Sequence, residues 1–143
     1  MVRVALFYLL LVSCCGYALS RGGKPERLVA AAYVLCVIIS NILVLPPFGT
    51  RYSGVEYGVM LTDVALLMLI AGVALFSERY WPLWMTAMQA MTVLAHLGRL
   101  LPQVKAWTYW NAVTLWSYPM LLLLVIATSR HRMRLARTGA DSS

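Results

Sequence analysis

The chain has 143 residues, of which 62% are hydrophobic and only 12% are charged, with a formal net charge of +7. A soluble domain typically carries about 25% charged residues, so this deficit excludes an ordinary cytosolic fold. The length allows one domain, and the composition predicts that this domain is a membrane bundle. Because the basic residues lie in short gaps between apolar runs and near the C-terminus, membrane topology explains the charge. We therefore expect no nucleic-acid partner.

Five apolar runs are long enough to cross a bilayer as helices, which need ~20 residues. In chain order they cover about residues 4–20, 28–45, 57–76, 82–101 and 108–128. Backbone groups in lipid must be satisfied within their own segment, and no run shows the strict alternation of a barrel strand. The sequence predicts an all-α, polytopic integral membrane protein, with a five-helix transmembrane bundle at residues 1–129 and a basic tail at 130–143.

The first run has a second interpretation as a secretory signal peptide. It begins with a basic residue, Arg3, which precedes a short apolar core and small residues, and the stretch LVSC resembles a lipoprotein processing site. Cleavage would leave four helices with both basic ends outside the membrane, which contradicts the positive-inside rule. We therefore expect the first helix to be retained.

Basic residues are divided unequally between the two sides of a five-helix bundle. The richer side holds eight of the twelve, namely Arg21, Lys24, Arg27, Arg79, Arg130, Arg132, Arg134 and Arg137. The other side holds Arg3, Arg51, Arg99 and Lys105. This bias predicts an outside N-terminus and a cytoplasmic C-terminus. The preference for arginine over lysine, with abundant Ala, Leu and Val, indicates a GC-rich bacterial gene, so we expect a multi-pass protein of the inner membrane.

Asp63 is the one acidic residue inside the third run, and polar residues of other runs lie at a similar depth. With a rise of ~1.5 Å per residue, Asp63 lies about 9 Å and His96 about 7.5 Å below the outer ends of their helices. Asn41 and Asn111 are four and three residues from the outer ends of theirs. The sequence therefore predicts polar side chains from four helices at one depth in the outer half.

The fourth run carries a polar seam. Its members are spaced 3, 4, 3 and 4 residues apart, which places them on one helix face: Gln89, Thr92, His96, Arg99 and Gln103. Such a seam must avoid lipid and so faces the bundle interior or a water-filled cavity. The candidates for ligand binding or a proton relay are Asn41, Asp63, Gln89, Thr92, His96, Arg99, Trp110 and Asn111.

An Asp63–His96 pair allows three roles. It can lock two helices together, orient a ligand, or hold a proton, since imidazole titrates near neutral pH. A cation, His96⁺ or Arg99, would offset the cost of the carboxylate in the membrane. Elsewhere in the bundle, Pro119 within the fifth run removes a backbone N–H and predicts a kink there.

We expect a small non-enzymatic integral membrane protein, either an accessory or assembly subunit or a sensor that binds a small ligand in a polar outer-half pocket. The alternative is a small proton-coupled transporter that uses Asp63 and His96. A third class is a membrane enzyme acting on a lipid or quinone. Expected partners are the lipid bilayer, a membrane protein or a second copy of the chain, and a small apolar ligand, lipid or quinone.

No cofactor or metal is predicted. His96 is the one histidine within an apolar run, whereas a bis-histidine haem needs two. Three cysteines, Cys14, Cys15 and Cys36, form no CxxC pair and lie in apolar runs, which favours neither a zinc site nor a disulfide framework.

Overall fold

The computed structural model describes residues 2–43, 57–98, 111 and 114–140, and the described chain is helical without a strand. It contains five helices: α1 Val2–Arg21, α2 Lys24–Leu43, α3 Tyr57–Phe76, α4 Trp81–Gly98 and α5 Ser117–Ala140. The all-helical prediction is confirmed. Three of the helices, over Val4–Arg21, Lys24–Ile42 and Tyr57–Phe76, are long and apolar enough to cross a membrane, which is consistent with a membrane protein.

A two-glycine turn joins α1 to α2. The amide of Gly22 donates to the carbonyl of Ala18 at 2.8 Å, and the carbonyl of Gly23 accepts from Arg27 at 3.0 Å, which opens the next helix. A Cβ added at Gly22 would lie 2.4 Å from the Ala18 carbonyl oxygen, so this turn leaves no room for a side chain. The reversal therefore needs glycine for steric reasons.

The second helix begins one turn earlier than predicted, at Lys24 rather than residue 28. Pro25 fits its first turn because the amide that proline lacks has no partner there. Glu26 follows in the same turn, where a carboxylate interacts favourably with the helix dipole. The non-helical link between α1 and α2 is consequently shorter than the gap between the first two apolar runs of the sequence.

Helices α3 and α4 form an antiparallel hairpin. The amide of Ser77 still donates to Val73 at 2.9 Å, residues 78–80 reverse the chain, and the carbonyl of Tyr80 accepts from Leu83 at 3.2 Å in the first turn of α4. Pro82 occupies that first turn, where the amide that proline lacks has no partner. The observed α3 covers Tyr57–Phe76 and ends at the predicted residue.

The fifth helix extends beyond its predicted end at residue 128, whereas its predicted start at residue 108 lies outside the described residues. Residues 114 and 115 are helical, Trp116 is a turn, and α5 starts at Ser117, so the helical path is interrupted one turn before Pro119, where the sequence predicts a kink. Proline has no N–H to donate to the carbonyl of Leu115, four residues earlier, and its ring clashes with that carbonyl, which explains the break. The helix then continues through the predicted tail to Ala140, since arginine, leucine, methionine and alanine are good helix formers.

The helices pack in sequence order, with α1 contacting α2, α2 contacting α3 and α3 contacting α4, while α5 packs mainly on α1 and less extensively on α4 and α2. Small side chains allow close approach at these interfaces. Cys15, Ala18 and Ala30 are fully buried there. The larger core residues include Leu66, Ile70, Met85, Met120, Leu121 and Leu124. At the other end of the α1–α5 interface, Phe7 and Tyr118 meet edge to face with centroids 6.2 Å apart.

Candidate functional site

Asp63 of α3 and His96 of α4 are in direct contact. The imidazole Nε2 lies 2.8 Å from the carboxylate Oδ2. An ionised carboxylate only accepts hydrogen bonds, so with Asp63 ionised Nε2 is the donor. The equal depth that the sequence predicts is therefore accompanied by an interhelical hydrogen bond.

Gln89 holds Asp63 from a second direction. Its amide Nε2 donates to Asp63 Oδ1 and to the Asp63 backbone carbonyl, each at 3.1 Å. The amide nitrogen is the atom that faces Asp63, because both partners are acceptors. Gln89 and His96 thus fix both carboxylate oxygens, and Gln89 also fixes the α3 backbone. We call these three residues the Asp63 network.

The network is buried on the α4 side and partly open on the α3 side. His96 and Gln89 are 1% and 2% exposed, whereas the Asp63 side chain keeps 19% of its surface. Thr92, between the two α4 residues, is also buried, and its hydroxyl donates to the Met88 carbonyl of its own helix at 3.3 Å. The described members of the predicted polar seam, Gln89, Thr92 and His96, therefore face the bundle.

Asn41 makes its hydrogen bonds away from the Asp63 network. Its Oδ1 accepts from the hydroxyl of Tyr8 at 2.8 Å, and its Nδ2 donates to the Val37 carbonyl at 2.7 Å. Both Tyr8 and Asn41 are exposed on the outer surface of the α1–α2 pair. A separate polar contact joins α2 to α3, where the Ser40 and Thr62 hydroxyls lie 2.8 Å apart.

The remaining predicted site residues lie at or beyond the limits of the described chain. Asn111 is helical and half-buried. Arg99, Gln103 and Trp110 fall outside the described residues, so their predicted part in the site stays a prediction.

A second ionisable cluster lies at the opposite end of the bundle, where α2 and α4 begin. Arg79, in the α3–α4 link, forms a salt bridge through Nη1 with Oε1 of Glu26. Its Nη2 lies 3.1 Å from His131 Nδ1 in α5, and this nitrogen accepts because arginine only donates. Glu26 is completely buried, and its Oε2 has no hydrogen-bond partner among the described residues.

Gly23 packs directly against Glu26 and His131 of this second cluster. A Cβ at that position would lie 2.9 Å from Glu26 Oε2 and 3.0 Å from His131 Nε2. The cluster therefore joins the α1–α2 turn, the α3–α4 link and α5 at one end of the bundle. These are the three segments that the charge count assigns to a single side of the membrane.

Sequence reasoning missed this cluster. Glu26 lies in a hydrophilic gap that looked solvated, and the neighbouring Glu78 was an equally plausible partner for Arg79. The available signal was that Gly22 and Gly23 precede a Pro-Glu pair, which is typical of a tight turn followed by a capped helix.

The layer between the two clusters is apolar. Ile70, Met85 and Leu124 are at most 1% exposed and lie between the clusters along their respective helices. The nearby hydroxyls of Thr86 and Thr128 donate to carbonyls of their own helices, those of Pro82 and Leu124. These two hydroxyls therefore do not link the clusters.

The described residues form neither a metal site nor a disulfide bond. No group of three or more His, Cys, Asp or Glu side chains in them is arranged to hold a metal ion. The three cysteines are free thiols, and the Cys36 thiol lies 3.7 Å from the Thr62 carbonyl oxygen that it faces across the α2–α3 interface.

Comparison with known proteins adds no family to this geometry. No protein-family model matches the chain, and neither the curated proteins nor the solved structures contain a significant match. Function must be argued from the site.

Proposed function

We propose that the chain is a small non-enzymatic membrane protein that binds a small ligand at the Asp63 network in the outer half of its bundle. In this proposal five helices cross the inner membrane of a bacterium, with the N-terminus outside and the C-terminus in the cytoplasm. The ligand is a small apolar molecule, lipid or quinone that carries at least one hydrogen-bonding group. The membrane location rests on the three helices apolar enough to cross a bilayer.

The observation that carries the proposal is the uneven burial of the network. His96 and Gln89 are almost wholly buried, yet the carboxylate they hold retains about a fifth of its surface. A pair that served packing alone would gain from complete enclosure, because residual exposure to lipid is costly for a carboxylate. A preorganised acceptor with one open side is suited to a ligand that donates a hydrogen bond.

A transporter is supported less well. A proton or solute path needs polar groups across the membrane, and Ile70, Met85 and Leu124 form an apolar layer between the two clusters. A proton relay through Asp63 and His96 would therefore need groups outside the described residues or in a partner.

An assembly role is the second candidate, and a separate observation favours it. The hydrogen-bonded pair Tyr8–Asn41 lies exposed on the outer surface of α1 and α2. Polar side chains exposed to lipid are commonly covered by another helix, which hydrogen-bonds to them. This surface therefore fits a second copy of the chain or a membrane-protein partner.

Native mass spectrometry of the protein in mild detergent tests the ligand proposal. We would compare wild type with Asp63→Asn and His96→Ala, and use Thr86→Val as the matched control. Thr86 lies on the same helix α4, outside the candidate site, and its hydroxyl donates to the Pro82 carbonyl of that helix. Circular dichroism and melting temperature report whether each variant folds.

The ligand proposal predicts a co-purifying small molecule that Thr86→Val keeps and that both network variants lose while remaining folded. A wild-type protein that carries no such molecule, with both network variants less stable than Thr86→Val, would make the network a packing device. The assembly role is tested separately by cross-linking Asn41→Leu, which should lose its oligomer or partner and retain any Asp63 ligand.

A further inference from the structure

A cavity of about 180 Å³ opens between the start of α4 and the C-terminal half of α5. Its polar end is lined by Arg79, Arg130 and Arg134, and its apolar wall includes Trp81, Leu123 and Ile126. We propose that this cavity, named here the α4–α5 cleft, binds the headgroup of an anionic phospholipid. The proposal concerns the opposite end of the bundle from Asp63 and does not rest on the ligand proposed there.

The charges of the cleft suit an anion. Three arginines line it against a single glutamate, Glu78. Arg79 is already engaged by Glu26, but neither Arg130 nor Arg134 forms a salt bridge with any described residue. Both are exposed on α5. Arginine binds phosphate oxygens through paired N–H donors, so these two residues are the natural phosphate ligands.

The order of residues along α5 matches the order of groups in a phospholipid. Leu123, Ile126, Arg130 and Arg134 are spaced 3, 4 and 4 apart and share a helix face. That face changes from apolar to basic in the direction of the C-terminus. A lipid with its acyl chain along Leu123 and Ile126 would place its phosphate beside the arginines.

The packing of the bundle leaves this side open. Helices α4 and α5 contact each other far less than α3 contacts α4 or α1 contacts α5. Ile126 is 42% exposed and Tyr80 is 81% exposed at the mouth of the cleft. Because the cleft is smaller than a phospholipid, it takes the phosphate, the adjoining glycerol and the start of one acyl chain along Leu123 and Ile126, while the rest of the lipid stays in the bilayer.

A lipid is favoured over a soluble anion because of the apolar wall and of the position at the end of the spanning helices. A soluble phosphate gains nothing from Leu123 and Ile126. Basic residues beside a membrane helix attract anionic lipid, with each arginine contributing about a fivefold gain in binding near the surface.

The test uses the full-length chain in mild detergent and native mass spectrometry. Phosphatidylglycerol is the anionic probe, and phosphatidylcholine with the same acyl chains is the neutral one. We expect selective retention of phosphatidylglycerol, a fall of about fivefold in Arg130→Gln or Arg134→Gln, and about 25-fold in the double variant. Arg132→Gln is the matched control, because it removes one charge from the same helix at a residue that interacts with Tyr17 of α1 instead of lining the cleft.

Two further measurements separate the alternatives. Ile126→Trp fills the apolar wall and leaves every charge in place, so it should weaken lipid retention. Glycerol 3-phosphate, added in excess, should leave the bound lipid in place. Equal retention of both lipids, equal loss in Arg132→Gln and Arg130→Gln, full retention in Ile126→Trp, or displacement by glycerol 3-phosphate would each overturn the proposal. The last result would identify a site for soluble anions.

Discussion

His96 Nε2 lies 2.8 Å from Asp63 Oδ2 and joins the two helices of the α3–α4 hairpin through a side-chain bond 33 residues apart in sequence. Gln89 donates hydrogen bonds to the other carboxylate oxygen of Asp63, Oδ1, and to the backbone carbonyl of Asp63. Asp63 is thus the centre of a network to which α4 contributes the donors. The energetics of this arrangement can be measured residue by residue.

A double-mutant cycle on Asp63→Ala and His96→Ala should give a coupling free energy of about 1.5 kcal/mol. Interhelical hydrogen bonds in membranes average ~0.6 kcal/mol with a maximum near ~1.7, and a charge-assisted bond belongs at the upper end. Reversible unfolding in mixed detergent measures the four stabilities. A coupling indistinguishable from zero would show that the two side chains do not interact in the bilayer.

Gln89→Leu should lower the free energy of unfolding by about 1–2 kcal/mol, because it removes two hydrogen bonds to Asp63 and leaves acceptors without donors. Gln89→Glu should be worse near neutral pH, since it places a second carboxylate beside the first. The additional loss of unfolding free energy in Gln89→Glu should become smaller as the pH is lowered, because protonation of one carboxyl removes the repulsion. An unchanged difference between the two variants across the pH range would contradict this interpretation.

Arg79→Leu should be far more destabilising than Glu26→Leu. Removing Arg79 leaves Glu26, which is completely buried, without a counter-charge, and breaking a buried pair from one side costs about 3–5 kcal/mol. The double variant Glu26→Leu/Arg79→Leu should recover most of that loss, because no charge remains to be buried. Melting temperatures of the three variants in the same detergent give the comparison, and a double variant as unstable as Arg79→Leu would be evidence against it.

Three alanine substitutions at glycines should have different effects. Gly22→Ala should be the most damaging, since its Cβ would lie 2.4 Å from a backbone oxygen that cannot move aside. Gly23→Ala should cost less, because the atoms it meets belong to the side chains of Glu26 and His131. Gly16→Ala is the control: nothing lies within 4 Å of its Cβ, and we expect a gain of roughly 0.5–1 kcal/mol from helix propensity.

A fluorescent-protein fusion after Ser143 tests the proposed orientation. The charge bias predicts a cytoplasmic C-terminus, where the fusion folds and fluoresces. An alkaline phosphatase fusion at the same position should be inactive, since that enzyme needs an oxidising compartment. The opposite pattern of activities would invert the topology and would place the α4–α5 cleft on the outer face.

Hydropathy was sufficient to predict that the described chain is all-helical and contains helices apolar enough to cross a membrane. The end of α3 at Phe76 was predicted correctly, because its apolar run stops there before Ser77, Glu78 and Arg79. The boundaries of α2 and α5 were not, because both extend through charged segments. Apolar content reports where lipid lies, whereas helix formation depends on backbone propensity and on capping groups such as Pro25 and Glu26.

The candidate site was predictable in part for a similar reason. Depth placed Asp63 and His96 at one level, and spacing placed Gln89 and His96 on one face of α4, but neither predicts that these side chains are in contact. Asn41 has a matching depth but makes its hydrogen bonds with Tyr8 and Val37. Depth is a coordinate along the helix axis, and it carries no information about rotation around that axis. The Glu26 cluster depends on rotation and on a turn, and neither could be read from hydropathy.

The uninterrupted course of α5 has a mechanical consequence. Its 24 residues give a rod roughly 36 Å long that runs from Tyr118, beside Phe7, to the arginines of the C-terminal segment. One continuous helix therefore reaches both ends of the bundle, and its hydrogen-bonded backbone keeps Tyr118 and Arg134 at a fixed separation along the axis, although an apolar layer separates the two polar clusters.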